Sequence, residues 1–155
     1  MNDTKTFIGV KMINASIMTK GQAYNSGYIK EQDCPNNAEE VLEMGYRVDY
    51  GNYISWCPKD IFEKSYFPIE NKDRISEQDV NNFIIEGVGI KMGHKTTIVL
   101  DTTITGFDTI GTCACVDPIN YNQEIGNKIA RKDIKDKIWG HLGFVLQWAK
   151  NGIID

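Results

Sequence analysis

Long apolar runs, paired cysteine knuckles, an excess of positive charge and histidine are all missing or scarce in this chain of 155 residues. The longest apolar runs, such as Thr97 to Leu100, are strand-sized. A membrane-spanning helix needs about 20 apolar residues, so no membrane partner is expected. Met1 to Lys5 lack the basic start and apolar core of a secretory leader, which points to a cytoplasmic location. A net charge of −4 and a pI near 5.2 argue against duplex nucleic acid, whose phosphates call for a basic face. The two histidines are His94 and His141, and the four cysteines are Cys34, Cys57, Cys113 and Cys115. Only Cys113 and Cys115 are suggestively spaced, and the paired C-x-x-C knuckles of a zinc site are absent. The expected reading is two small buried side chains on one strand face, with no metal. No G-x-S-x-G elbow, H-E-x-x-H pair, Walker loop or dinucleotide glycine fingerprint occurs. Neither a cofactor nor an enzymatic role is therefore expected.

What is present describes an α+β chain with antiparallel hairpin-based sheets and a long C-terminal amphipathic helix. Its length suits one average domain, or a main domain with a small companion. Residues 1–70 read as a small aromatic-rich β module and residues 75–155 as a hairpin plus long-helix domain. The polar stretch Asn71 to Arg74 lies between them. In the first part, Phe7 to Ile13 alternates as a first strand should, and Tyr24 to Ala38 reads as a long loop. Tyr46 to Tyr50, Gly51-Asn52 and Tyr53 to Trp56 form the clearest hairpin, with a tight primed turn expected at the centre. Pro58 then opens a short helix.

In the second part Ser76 is a good N-cap, with Asp79 completing an approximate capping box. The helix is expected to bury Val80, Phe83 and Ile84. Gly87, Gly89 and Gly93 then read as a flexible approach to the next strand. Lys95 to Thr105 is rich in threonine and β-branched residues, as strands are. A two-residue turn at Thr105-Gly106 would return the chain through Phe107 to Cys115, placing Ile104 opposite Phe107 and Thr102 opposite Thr109. Asp117-Pro118 reads as the start of a helical segment running from about Pro118 to Lys150, with Gly140 and Gly143 as places where it can break. Its apolar face would be Ile125, Ile129, Ile134, Ile138, Leu142, Val145 and Ala149.

One stretch reverses the overall charge. Asn127 to Lys137 carries five cations against two anions. Lys128, Arg131 and Lys135 share a helix face and suit a phosphate or diphosphate; a solvated face is the competing reading. Phe107, just after a turn, either stacks on a base or pairs with Ile104 in the core. Asp117 and the first amides of the helix form a second place where an anion or a simple cap is possible. Tyr46, Tyr50, Tyr53 and Trp56 are a further aromatic cluster, of the kind found in cores and interfaces.

The residues Gly106-Phe107, Gly111, Cys113 to Pro118, Asn120-Tyr121, Glu124 to Gly126, Ile129-Ala130 and Lys137 to Trp139 resemble a family of small bacteriophage proteins. That family carries an S-A-C-V-D-P-x-N-[FY] block leading into an amphipathic helix. The resemblance runs from about Ile75 to Ile153. Thr112-Cys113 departs from the usual serine-rich lead, and Trp139 to Leu142 from a commoner acidic-leucine run. The first part looks like a separate phage module, through Tyr46 to Tyr50, Ser55 to Lys59, Phe62-Glu63 and Tyr66. The second part also looks like the first-described Thoeris anti-defence family, phage sponges that bind cyclic ADP-ribose signals without cleaving them.

That likeness implies a homo-oligomer, dimer or hexamer, with a small cyclic nucleotide held between subunits. It implies that Phe107 stacks on adenine and that Arg131 and Lys135, with Lys128 beside them, neutralise the diphosphate. Asp117 or Asn120 would meet ribose hydroxyls. Lys135 stands where the family pattern has arginine. The alternative function is a phage protein–protein interaction module acting through its aromatic face.

Overall fold

The computed structural model describes residues 4–154. The chain is α+β and divides at Pro68/Ile69 into two compact units, each with its own three-stranded antiparallel sheet. Among the described residues, no helix is long and apolar enough to cross a membrane.

The first unit runs β1 (Asn14–Thr19), α1 (Lys20–Asn25), a 3-10 turn (Glu31–Asp33), α2 (Ala38–Leu42), β2 (Met44–Asp49), β3 (Ile54–Pro58) and α3 (Lys59–Ser65). Its sheet has the order β1-β2-β3. Thr19 and Gln22 form a capping box at α1, closing orphan amides at the strand-to-helix corner. The expected hairpin joins β2 to β3, with Tyr50 N–H donating to the Tyr53 carbonyl at 3.0 Å. Gly51 takes positive φ (88°), while Asn52 does not, so one primed position rather than two makes the turn. Pro58 is the N-cap of α3, one residue ahead of the first helical position.

Phe7 to Ile13 forms no strand, although its pattern alternates. A strand requires a ladder partner, and β1 already pairs with the whole of β2, from Asn14↔Asp49 to Thr19↔Met44. The segment Tyr24 to Ala38 is loop only in part, since α1 ends at Asn25 and a 3-10 turn occupies its middle.

The second unit runs α4 (Glu77–Phe83), β4 (Ile84–Met92), β5 (Thr96–Thr103), β6 (Asp108–Ala114), a 3-10 turn (Pro118–Asn120) and α5 (Gln123–Asn151). Its sheet has the order β4-β5-β6. The Ser76–Asp79 capping box is present in both directions, and the buried Asp79 carboxylate also accepts from Glu70 N–H at 3.0 Å. Val80 is fully buried, whereas Ile84 already begins β4. Of the glycines expected to be a flexible approach, Gly87 and Gly89 lie inside β4, and Gly93, at φ 65°, lies in the turn after it. Glu86 and Gly87 together oppose Asp101 in a bulge, and a Cβ at Gly87 would run into the Leu100 carbonyl.

The β5–β6 turn differs from expectation by one residue. Thr103 N–H donates to the Phe107 carbonyl at 2.9 Å and Gly106 takes φ 82°, giving a three-residue loop. Thr102 therefore faces Asp108, not Thr109, and Asp101 faces Thr109. Such a shift exchanges the faces of a whole strand. Here it turns Thr109, Gly111 and Cys113 toward α5, and Ile110 away from it.

The core sits between this sheet and α5: Ile75, Val80, Val99, Ala130, Ile134, Ile138 and Leu142. The buried row on α5 is Gly126, Ala130, Ile134, Ile138 and Leu142, strictly four apart. Ile125, Ile129 and Val145, expected on that face, are exposed. The reason is distance. Helix and sheet approach so closely at the first turns that a Cβ at Gly111 would strike the Ala130 carbonyl, and one at Gly126 would strike Thr97 Oγ1. Only glycine and alanine fit there, and isoleucine is turned outward. Gly140 and Gly143 do not break α5, which is continuous through both.

Candidate functional site

The cationic face of α5 is the feature that the sequence marks most strongly, and its members differ in what holds them. Arg131 is engaged with its own sheet. Its Nη2 donates to the Gly87 carbonyl at 2.9 Å, its Nε lies 3.4 Å from Asp101 Oδ2, and its Nη1 lies 3.7 Å from Glu86 Oε2. Asp101 is 2% exposed and also accepts from Gly87 N–H at 2.8 Å. One guanidinium and one buried carboxylate thus tie both sides of the bulge. A buried carboxylate needs such a partner, because leaving it unpaired is strongly unfavourable. Lys137 is likewise engaged, with the Ile110 carbonyl at 2.8 Å and Asp133 at 2.7 Å.

Lys128, Lys132 and Lys135 are different: none has an ion-pair partner among the described residues. At i, i+4 and i+7 they line one side of the helix across two turns. Sequence reasoning singled out Lys128, Arg131 and Lys135. Lys132 joins the face because the buried row, rather than the isoleucines, sets how α5 is rotated.

Phe107 is 58% exposed and Ile104 49%, so neither is buried in the core. The Phe107 ring meets His141 edge-on, with centroids 5.9 Å apart. Lys135 precedes His141 by six residues, about 9 Å along the axis at 1.5 Å per residue. Asp117 and Asn120 lie at the other end of the sheet. Asp117 does not cap the long helix; its carboxylate accepts from Ile119 N–H at 3.0 Å and caps the 3-10 turn. Asn122 is the N-cap of α5. Gly126 abuts Thr97 at that end while His141 meets Phe107 at the other. The two ends are about 22 Å apart along the helix. Within one chain the fold therefore sets Phe107 beside His141, about a third of a helix turn round from Lys135, and keeps Asp117 and Asn120 at the far end.

The motif residues between them build the fold. Tyr121 Oη lies 3.1 Å from the buried Thr97 Oγ1 and bonds Gln123, whose amide donates to Asn127 at 2.8 Å. The Lys91 ammonium stands 4.3 Å from the Tyr121 ring centroid. Cys113 is half-buried, its thiol 3.2 Å from the Gly126 carbonyl, and Cys115 lies beyond the end of β6 beside the Asp117 carbonyl. The two thiols are therefore neither fully buried nor on one strand face. No group of three His, Cys, Asp or Glu side chains among the described residues is gathered to hold a metal.

In the first unit the aromatic cluster is mostly internal. Tyr46 stacks on Phe62 at 4.2 Å and donates to Glu63 at 2.8 Å, and the Trp56 indole donates to the Met18 carbonyl at 2.9 Å. Burial, with Tyr66 hydrogen-bonded beside it, pushes the Tyr50 hydroxyl up to about 12. Tyr53 is the exposed one, at 55%, stacked on Tyr50 at 4.7 Å. With Tyr28 and Asp49 it lines an open recess of about 410 Å³.

The fold and these features define a two-unit α+β protein with a close-packed helix-on-sheet second unit. The model of the phage protein (N4 Gp49/phage Sf6 gene 66) family matches residues 60–149, more than half of the chain, and the chain belongs to that family. The match begins inside α3 of the first unit and runs through nearly all of the second. No curated protein and no solved structure matches the chain.

Proposed function

We propose that this phage protein captures a small anionic cyclic nucleotide signal, of the cyclic ADP-ribose type, in the cytoplasm of the infected host and holds it without cleaving it. The observation that carries this reading is the strip of three unpaired ammonium groups, Lys128, Lys132 and Lys135, on a chain whose net charge is −4. The resemblance to the sponge family points the same way. Convergent cations recognise a diphosphate, and the exposed Phe107 ring offers a base a stacking surface, from this chain or from a second copy. The phosphate role falls to the lysines, since Arg131 is held by Asp101 and Glu86. Asp117 and Asn120 join such a ligand only from a second copy, in keeping with a homo-oligomer.

Capture must be tight to silence a signal: micromolar affinity is only about −8 kcal/mol and nanomolar about −12. Calorimetry with cyclic ADP-ribose isomers and cyclic di- and trinucleotides tests the reading. Binding by one of them is expected, weakened at least tenfold by Lys135→Glu and by Phe107→Ala, with intact ligand recovered after denaturation. Absence of heat with every compound overturns it, and ligand turnover replaces capture with catalysis.

A second reading, contact with a host or phage protein through the first unit, is favoured by the open Tyr53–Tyr50 stack alone. Capture of a defined partner that Tyr53→Ala abolishes and Lys135→Glu spares would establish it in place of the first.

A further inference from the structure

The sheet of the second unit has two faces, and only one of them is covered. Thr97, Val99, Asp101, Thr103, Thr109 and Gly111 point toward α5 and are buried. Strand alternation sends their neighbours to the opposite face. There the register aligns Val88, Leu100 and Ile110 across the three strands, with Ile90 and Ile98 as the next row and Met92 beyond. Val88 is 70% exposed, Ile90 51%, Met92 54%, Leu100 43% and Ile110 53%. Antiparallel sheets with one solvated face ordinarily alternate apolar-in and polar-out. This sheet does the reverse in part, placing threonines and an aspartate against α5 and aliphatic side chains outside.

The outer face holds four positions from each strand, and Asp108, at one end, is the one charged residue among them. Even that carboxylate is occupied, accepting from Thr102 Oγ1 at 2.7 Å. In a chain of which 25% is charged, a face so poor in charge is selective about its neighbour. It exposes on the order of 400–500 Å² of apolar side chain, in the upper range for the largest patch on a monomer.

We infer that this face is the contact between two copies of the chain, packed sheet on sheet. A two-fold pairing sets the same patch against itself, and a flat apolar face with its single carboxylate at the rim is self-complementary, free of facing charges at the centre. Aligned sheets pack about 10 Å apart through interdigitating aliphatic side chains, the residue type this face supplies. Two such faces bury on the order of 1,000 Å² together, the lower bound for a biological interface. The pairing stands apart from the nucleotide reading, because the face meets its copy whether or not a ligand binds elsewhere. It leaves α5 uncovered, so Lys128, Lys132 and Lys135 stay open in the assembly.

Sedimentation velocity and native mass spectrometry of the full chain across the micromolar range test the inference. The unmodified protein is expected to be a dimer, or a larger even-numbered assembly. Leu100→Lys, at the centre of the face, is expected to give monomer with an unchanged circular dichroism spectrum. Leu100→Thr introduces a β-branched side chain suited to a strand and weakens association at least tenfold, which covers the case in which the lysine variant does not fold. A monomeric unmodified chain overturns the inference, and so does an assembly that survives both substitutions. Calorimetry with the nucleotide panel on the Leu100→Thr protein separates the two readings. Lost association with retained binding supports the interface alone, and an unmodified chain that dimerises but binds no compound removes only the nucleotide proposal.

Discussion

The two units fold by different means. The second has one continuous core in which five small or aliphatic residues of α5 sit directly on a sheet, with glycine and alanine at the closest approach. The first buries few aliphatic side chains and relies on rings: Phe62 lies between Tyr46 at 4.2 Å and Tyr66 at 4.8 Å, and Tyr50 stacks on Tyr53. Its sheet is also shorter, with strands of five and six residues against seven to nine in the second unit. Short strands bury little, so stacked rings and ion pairs such as Lys20 with Glu40 and Glu43 surround a small centre. Close helix-on-sheet packing leaves no slack for volume changes, whereas stacked rings at a rim have solvent on one side.

Substitutions in each unit sharpen that contrast, and the largest effect belongs to the second. Ile134→Ala removes a fully buried side chain from the middle of the row and is expected to cost about 4 kcal/mol in urea unfolding. Phe62→Ala removes the centre ring of the first unit's stack; a loss of about 3 kcal/mol is expected, with hydrogen exchange accelerated in β2 and β3. If Phe62→Ala proved the costlier of the two, the contrast between a tight core and a ring-built one would fail.

Gly111→Ala forces a methyl group into the Ala130 carbonyl, at the top of the ~1–3 kcal/mol range for overpacking. Its counterpart on the same helix, Gly140→Ala, meets nothing within 4 Å and should raise stability by about 0.5–1 kcal/mol. Opposite signs in thermal denaturation would separate a glycine required by packing from one that is not.

The smallest effect concerns pH. The hydrogen bond from Lys150, at 2.6 Å, and then its charge, hold the Asp73 carboxyl below the ordinary carboxylate range. Because the folded value is the lower one, this contact is in place above the unfolded carboxylate pKa. It is lost as pH falls through the depressed value. Following the Asp73 carboxyl carbon by NMR should show a midpoint that moves up in Lys150→Met.

How far the sequence carried the reading varies by element. The Ser76–Asp79 cap, the Tyr46–Trp56 hairpin and the existence of the long C-terminal helix were legible, since caps, turn residues and periodicity are local signals. Phe7 to Ile13 misled because alternation states what a strand looks like and not whether an edge is free to pair with it. Ile125 and Ile129 misled for a related reason: apolarity chose them for the core, but the space between helix and sheet admits only Gly126 and Ala130 there. Of the candidate site, the basic segment was visible as a composition. Which of its cations are free was not, because Asp101 and Glu86 reach Arg131 from strands some thirty to forty-five positions away in the chain.

Sequence alone thus determined the α+β class, the phage family to which the chain belongs, and the charge reversal along residues 128–137. Tertiary structure decided the rest: a one-residue loop difference set which face of β6 meets α5, and close packing set how α5 turns. Together they left three lysines open on the helix and an aliphatic face open on the sheet. Local patterns fix which elements form; the spacing between elements, which depends on contacts distant in the chain, fixes which side chains remain for a partner.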